Sequence, residues 1–301
     1  MLGLNLRIVT AVQKKYLDSF RYYLRMERQL SPNTVASYCS DLAFFFDGYS
    51  GDPRSAGGDD VMAWISGLAA TVSKRSQSRR LSSLRSFFDW MIAEGERSDN
   101  PVDSVDYPKQ GRYLPEVLSV DEVTEIIEGV ATKDWQGVRD RAILEILYGC
   151  GLRVSELCNL RLSNVYADEG FVRVTGKGDK ERLVPMGGAA VEAFRRWVEC
   201  RPESALPQYD DYVFLNRFGK PLSRVSVFNM VKAAALDAGV TKEISPHTFR
   251  HSFATHMIEN GADLRVVQEM LGHESILTTE IYTHIDTATW QRSILEHHPR
   301  R

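Results

Sequence analysis

Val35, Tyr38, Leu42, Phe45 and Tyr49 recur at steps of three and four, the period of a helix with one apolar face. Ser31-Pro32 in front of them supplies an N-cap and a proline at the first helical position. Leu17, Phe20 and Leu24 mark a helix before this one, and Val61, Trp64, Ile65 and Leu68 one after it, opening at Asp59-Asp60. A fourth helix is predicted over about 76–94. At about 100° per residue, Leu81, Leu84, Phe87, Phe88 and Met91 share one face, and Arg75, Ser78, Arg79, Ser82, Arg85 and Ser86 share the opposite one. Periodicity then breaks over 97–115, where Asn100-Pro101, Pro108, Gly111 and Pro115 read as a connection between domains. Beyond it, Ser119 and Glu122 form a capping box. Helices follow over about 119–130 and 136–149, and two short strands at 171–174 and 182–185 flank a glycine-containing turn. Further helices are predicted near 187–200, 223–238, 246–260, 263–271, 275–283 and 286–296. The expected fold is mainly α. An N-terminal helical bundle covers 1–107 and a linker 108–117. A larger α-rich domain with a small antiparallel β-sheet covers 118–301.

The chain has 301 residues, 43% hydrophobic and 26% charged, which places it among ordinary globular proteins of two-domain size. No stretch approaches the roughly 18–20 uncharged apolar residues of a membrane helix, and Arg7, Lys14 and Lys15 stand where a signal peptide would be apolar. A cytoplasmic protein with no membrane partner is expected. Cys39, Cys150, Cys158 and Cys200 have the spacing of neither a metal pair nor a disulfide framework and are read as reduced and structural. A net charge of −3 excludes a protein that coats nucleic acid with its whole surface, so any such contact must come from a local patch. Residues 61–88 supply one: five basic side chains and no acid. A helix face of arginine and serine has the composition of a phosphate-binding face, making Arg75, Arg79 and Arg85 candidate DNA contacts. The plainer reading is a solvated helix surface, although such surfaces usually mix both signs.

All seven histidines lie after residue 246. The run Ser245-Pro246-His247-Thr248-Phe249-Arg250-His251 opens a helix, with His247 and Arg250 three apart near its N-terminus, where an anion is favoured. His256, beside Phe249, Phe253 and Met257, reads as a core histidine. His247 and His251 also have the spacing of a helical zinc pair, but no glutamate stands between them to act as base, and Arg250 would repel a metal. Leu271-Gly272-His273 puts a histidine just past a helix stop. Arg153 follows a glycine break at a helix start, Lys177 sits between two glycines at a hairpin tip, and Tyr282 ends a short helix. Taken singly, each has an ordinary structural reading.

Taken in order, Arg153, Lys177, His247, Arg250, His273 and Tyr282 resemble the active-site set of the tyrosine recombinases, the phage-integrase family. The flanking segments 151–157, 175–185, 245–257, 260–273 and 278–284 agree, and segments 30–45 and 79–91 resemble that family's core-binding domain. The resemblance spans roughly 12–298. Within the family, the compact length and Leu271-Gly272-His273 look most like the Xer recombinases.

The resemblance implies a site-specific enzyme that cuts and rejoins DNA through a 3′-phosphotyrosine, with Tyr282 as nucleophile, Arg153 and Arg250 on the phosphate, His247 as proton acceptor, Lys177 as general acid and His273 as a phosphate ligand. Glu156 would orient His247 or Arg153. Neither metal nor cofactor is implied. Expected partners are a double-stranded recombination site, three further protomers on two sites (copies or a paralogous recombinase), and a septal DNA translocase. The last helix is expected to dock on a neighbour. A mobile-element integrase, a type IB topoisomerase-like enzyme and a DNA-binding protein without cleavage activity are the alternatives.

Overall fold

A computed structural model describes residues 10–107, 116–176, 180–272 and 287–300. The chain divides into two compact units, Met1–Tyr113 and Leu114–Arg301. The expected linker falls mostly, and the expected helix over 275–283 entirely, outside the described residues.

The N-terminal unit holds α1 (Ala11–Met26), α2 (Pro32–Gly48), α3 (Gly58–Leu68) and α4 (Lys74–Ala93). Ser31 and Ser73 cap α2 and α4 by accepting from the N–H groups of Thr34 and Ser76, and Thr10 and Gln13 form a reciprocal box at α1. The apolar face of α4 read from the sequence is the core: Leu81, Leu84, Phe87, Phe88 and Met91 are fully buried with Phe20, Leu42 and Phe45. Phe87 meets Phe20 edge to face at 5.4 Å between centroids. Truncating such a ring to alanine costs about 3–5 kcal/mol.

The C-terminal unit contains α5 (Val120–Gly129), α6 (Trp135–Gly149), α7 (Val154–Cys158), β1 (Val165–Tyr166), β2 (Phe171–Thr175), β3 (Glu181–Pro185), α8 (Gly188–Cys200), α9 (Arg224–Asp237), α10 (Pro246–Glu259), α11 (Leu264–Leu271) and α12 (Thr287–His297). The strands pair antiparallel in the order β1-β2-β3, with Val172 opposite Val184 and Val174 opposite Arg182. The strand β1 was not foreseen, because two residues leave no alternation to read. Residues 142–149 of α6 are buried on every side, so this helix is the axis of the unit. Ser252 on α10 ties down the unit's first segment, accepting from the Leu118 N–H at 2.9 Å and donating to the Thr248 carbonyl.

α12 packs on β3, α10 and α11 of its own unit. Ile294 is buried there, and Asn260 Nδ2 donates to the His297 carbonyl at 2.8 Å. The helix expected to dock on a neighbour is thus seated in cis. Cys39, Cys150 and Cys158 are buried free thiols, as structural cysteines should be, whereas Cys200 is exposed. Among the described residues no helix is long and apolar enough to cross a membrane.

Candidate active site

Three segments distant in sequence meet at the end of α11. Asp263 caps its N-terminus, accepting from the N–H groups of Arg265 and Val266, and Gly272 ends it in the left-handed conformation at φ 62°. The last carbonyls of such a helix carry the negative end of its dipole and lack intrahelical donors. Here three consecutive carbonyls each receive a guanidinium. Arg182 Nε donates to Met270 O at 2.9 Å, Arg250 Nη2 to Leu271 O, and Arg153 Nη2 to Gly272 O at 2.9 Å. A Cβ at Gly272 would lie 3.2–3.3 Å from Arg182 Nε, Cδ and Cζ, so both backbone angle and space call for glycine.

The three arginines share one carboxylate. Glu156 Oε1 accepts from Arg153 Nη1 at 2.8 Å and Arg182 Nη1 at 2.7 Å, and Oε2 accepts from Arg182 Nη2 at 3.0 Å and the Arg153 backbone N–H at 2.8 Å. Arg250 Nη1 lies 4.0 Å from Oε2 and donates to Gly151 O at 2.6 Å. Gly151 adopts φ 58°, and a Cβ there would sit 2.6 Å from the Phe253 ring. The glycine break ahead of Arg153 therefore lets α10 come close enough for Arg250 to reach that carbonyl. Burial pushes the Glu156 carboxyl up, but hydrogen bonds and charge from Arg182 and Arg153 outweigh it and hold it below the ordinary value. Burial, reinforced by the like charges of Arg153 and Arg182, pulls Arg250 down to about 9, so it still carries its proton at neutral pH. Three guanidiniums against one carboxylate leave an excess of two positive charges, held in place before any ligand arrives.

Of the residues expected at the site, Arg153, Glu156 and Arg250 are brought together. Glu156 orients Arg153; among the described residues it makes no contact with His247. Arg250, read from the sequence as a surface neighbour of His247, turns inward and is buried, while His247 and His251 are exposed on α10. Lys177, His273 and Tyr282 lie outside the described residues; Gly272, which precedes His273, is held by Arg153. Among the described residues no cluster of His, Cys, Asp and Glu is arranged to hold a metal. His256 is buried, its Nδ1 2.8 Å from the Tyr148 hydroxyl, and belongs to the core.

Arg182 was missed. It had been read only as part of a strand. The signal was present: on β3 it shares a face with Val184 and stands opposite buried Val174, so period-two alternation places a cation where an apolar residue belongs.

The arginine-serine face of α4 has a different environment. Arg79 Nη2 donates to Asp41 Oδ1 at 2.7 Å and Nη1 to Ser37 Oγ at 2.7 Å, and Asp41 is buried. Arg85 pairs with Asp103 and donates to the Tyr107 hydroxyl at 3.2 Å. The face that carries no acid of its own is thus partly neutralised by α2 and by the turn at 101–104. Arg75 is exposed and has no ion-pair partner among the described residues.

Comparison with known proteins agrees with this architecture. Residues 116–289 match the model of the phage integrase family, and residues 17–95 that of the phage integrase N-terminal SAM-like domain. The chain is 43% identical over 295 residues to the tyrosine recombinase XerD of Chlorobaculum tepidum, covering 95% of this chain and 97% of that protein. It is 30% identical to the XerA recombinase in its crystal structure, covering 96% and 100% of the two chains at a TM-score of 0.51. The Tn1549 transposon integrase in complex with circular intermediate DNA shares the fold, at a TM-score of 0.72 and 20% identity over 96% of this chain and 100% of that one. The chain belongs to the phage integrase family of tyrosine recombinases.

Proposed function

We propose that the chain is a Xer-type site-specific recombinase that resolves chromosome dimers at a terminus-region DNA site in the cytoplasm. The reading rests chiefly on the arginine cluster anchored at 270–272, immediately before His273. Phosphodiester attack concentrates negative charge on the non-bridging oxygens, and preorganised guanidiniums are suited to it. Arg153 and Arg250 take this role, which asks for a planar bidentate donor.

The Tyr282 Oη attacks phosphorus and loses its proton to His247, the P–O5′ bond breaks, and the departing 5′-oxygen takes a proton from Lys177. The products are a 3′-phosphotyrosine and a free 5′-hydroxyl. Since a free tyrosine has a pKa of ~10, forming phenolate at pH 7 costs about 4 kcal/mol, which a nearby base and two fixed cations offset. His273 hydrogen-bonds the phosphate. Because the bond energy is retained in the covalent link, attack by another strand's 5′-hydroxyl rejoins DNA without ATP, and the cations required are side chains rather than a metal.

The two units would clamp a duplex from both sides, 1–107 through Arg75, Arg79 and Arg85 and 118–301 through the active site, joined by the linker at 108–117. Four protomers on two sites, with α12 released to a neighbour, exchange strands in pairs. A paralogous recombinase and a septal DNA translocase are the proposed partners.

The test is a plasmid carrying two directly repeated copies of the host's terminus-region site, incubated with the full chain, its paralogue and the translocase domain. Excision of the intervening segment is expected. Relaxation of a plasmid lacking the sites would favour a topoisomerase, and binding without product a DNA-binding protein. Excision only at a mobile element's own attachment site would favour an integrase.

A further inference from the structure

Arg182 has the contacts of a clamp: Nη1 and Nη2 grip both oxygens of Glu156, and Nε holds Met270 O. Its side chain is only 12% exposed. It starts from β3, which Lys177 precedes in sequence; where β2 and β3 join, the Gly176 N–H donates to Lys180 O at 2.8 Å. It ends between α7, which carries Glu156 and is capped by Arg153, and the last turn of α11, which leads to His273. One planar group therefore fixes three segments against each other.

We infer that Arg182 is a positioning residue for strand cleavage: by clamping Glu156 and the end of α11 together from the hairpin strand, it sets the geometry of the Arg153–Arg250 pair and ties the hairpin to it. This rests on the reading of Arg153 and Arg250 as the phosphate-binding arginines. Glu156 has four hydrogen bonds, two from Arg182 and two from Arg153. Without Arg182 the carboxylate keeps only those of Arg153 and is free to rotate toward Arg250, 4.0 Å away, so the phosphate would meet guanidiniums displaced from their places. A misplacement of about 1 Å costs on the order of 10²-fold in rate. Lysine, a single point charge, cannot span both carboxylate oxygens and a carbonyl.

The experiment compares full-length wild type, Arg182→Gln, Arg182→Lys, Arg153→Ala and the Arg182→Gln/Arg153→Ala double variant. It measures the single-turnover rate of covalent adduct formation on a nicked duplex, the Kd for the uncut duplex and the Tm. Arg182→Gln is expected to cleave on the order of 10²-fold more slowly with Kd changed by no more than about twofold. Arg182→Lys should be impaired nearly as much, and the double variant should be slower than Arg153→Ala by clearly less than the single loss of Arg182→Gln, because part of what Arg182 positions is already gone. The inference is overturned by a wild-type cleavage rate in Arg182→Gln, by restoration in Arg182→Lys, by multiplicative losses in the double variant, or by Kd and Tm falling in step with the rate. Should Arg182→Gln fail to fold, Arg182→Lys and its double variant with Arg153→Ala carry the test. Arg153→Ala tests the underlying reading: wild-type cleavage there would place the phosphate site elsewhere and remove the ground for both.

Discussion

In the N-terminal unit, Arg79 and Arg80 converge on Asp41, and Arg85 meets Asp103. In the C-terminal unit, Arg153, Arg182 and Arg250 converge on Glu156, and four backbone carbonyls accept from others of their N–H groups. The difference lies less in the ratio of charges than in what holds them. Arg85 and its partner Asp103 are partly exposed, so Arg85 can trade that carboxylate for a DNA phosphate at little cost, which suits gripping a backbone, whereas Arg79, itself partly exposed, is anchored by buried Asp41. The C-terminal arginines are fixed by carbonyls at a helix end. Those carbonyls orient a guanidinium without cancelling its charge, which suits a transition state whose charge must be met without rearrangement.

The largest expected effect that would break this contrast is at Arg250. Arg250→Ala should slow adduct formation by about 10²–10³-fold with little change in DNA affinity, since it removes a donor aimed at developing charge. It should also lower the Tm, because two buried carbonyls lose their partner at about 1–3 kcal/mol each. A rate unchanged in the same assay would show that the fixed cluster is structural only.

Next in size is a pH effect. His298, buried beside Tyr148 and Phe253, is held down to about 4 by burial, with its Nδ1 accepting from the Arg300 N–H. Its folded pKa lies below the ordinary 6.5, so the unfolded chain binds the proton first and stability falls as pH drops from 6.5 toward 4, by about 3 kcal/mol in all. The urea midpoint of wild type should fall relative to that of His298→Phe on acidification over that window, and parallel curves would contradict the assignment. Glu156 works at lower pH. Its depressed pKa adds stability that is present above 4.5 and lost as pH falls through the lower folded value.

Two smaller effects sharpen the comparison inside the N-terminal unit. Arg79→Ala should weaken DNA binding and also destabilise the unit, by about 1–3 kcal/mol, because buried Asp41 loses its closest cation. Arg75→Ala should leave Tm unchanged, weaken binding several-fold and reduce the salt slope of log Kd by about one. Equal Tm losses in both variants would erase the distinction.

The amphipathic faces of α2 and α4, the capping residues and Gly272 as a helix stop were legible along the chain because each is a local rule. The convergence on Glu156 was legible only in part. A glutamate three residues after an arginine reads as a helix pair, but Arg182 arrives from a strand 26 residues on and Met270 O from a helix farther still. Its trace was an inward position in β3 filled by a cation. Asp41 was hidden for the same reason: it lies on another helix, 38 residues before Arg79.

The most direct test of the account is an SDS gel of the full chain incubated in EDTA with a nicked duplex carrying the candidate recombination site, alongside Tyr282→Phe. A covalent protein–DNA adduct with the wild type and none with Tyr282→Phe is the predicted result. An adduct that persists in Tyr282→Phe, or one that forms only when a divalent metal is supplied, would contradict it.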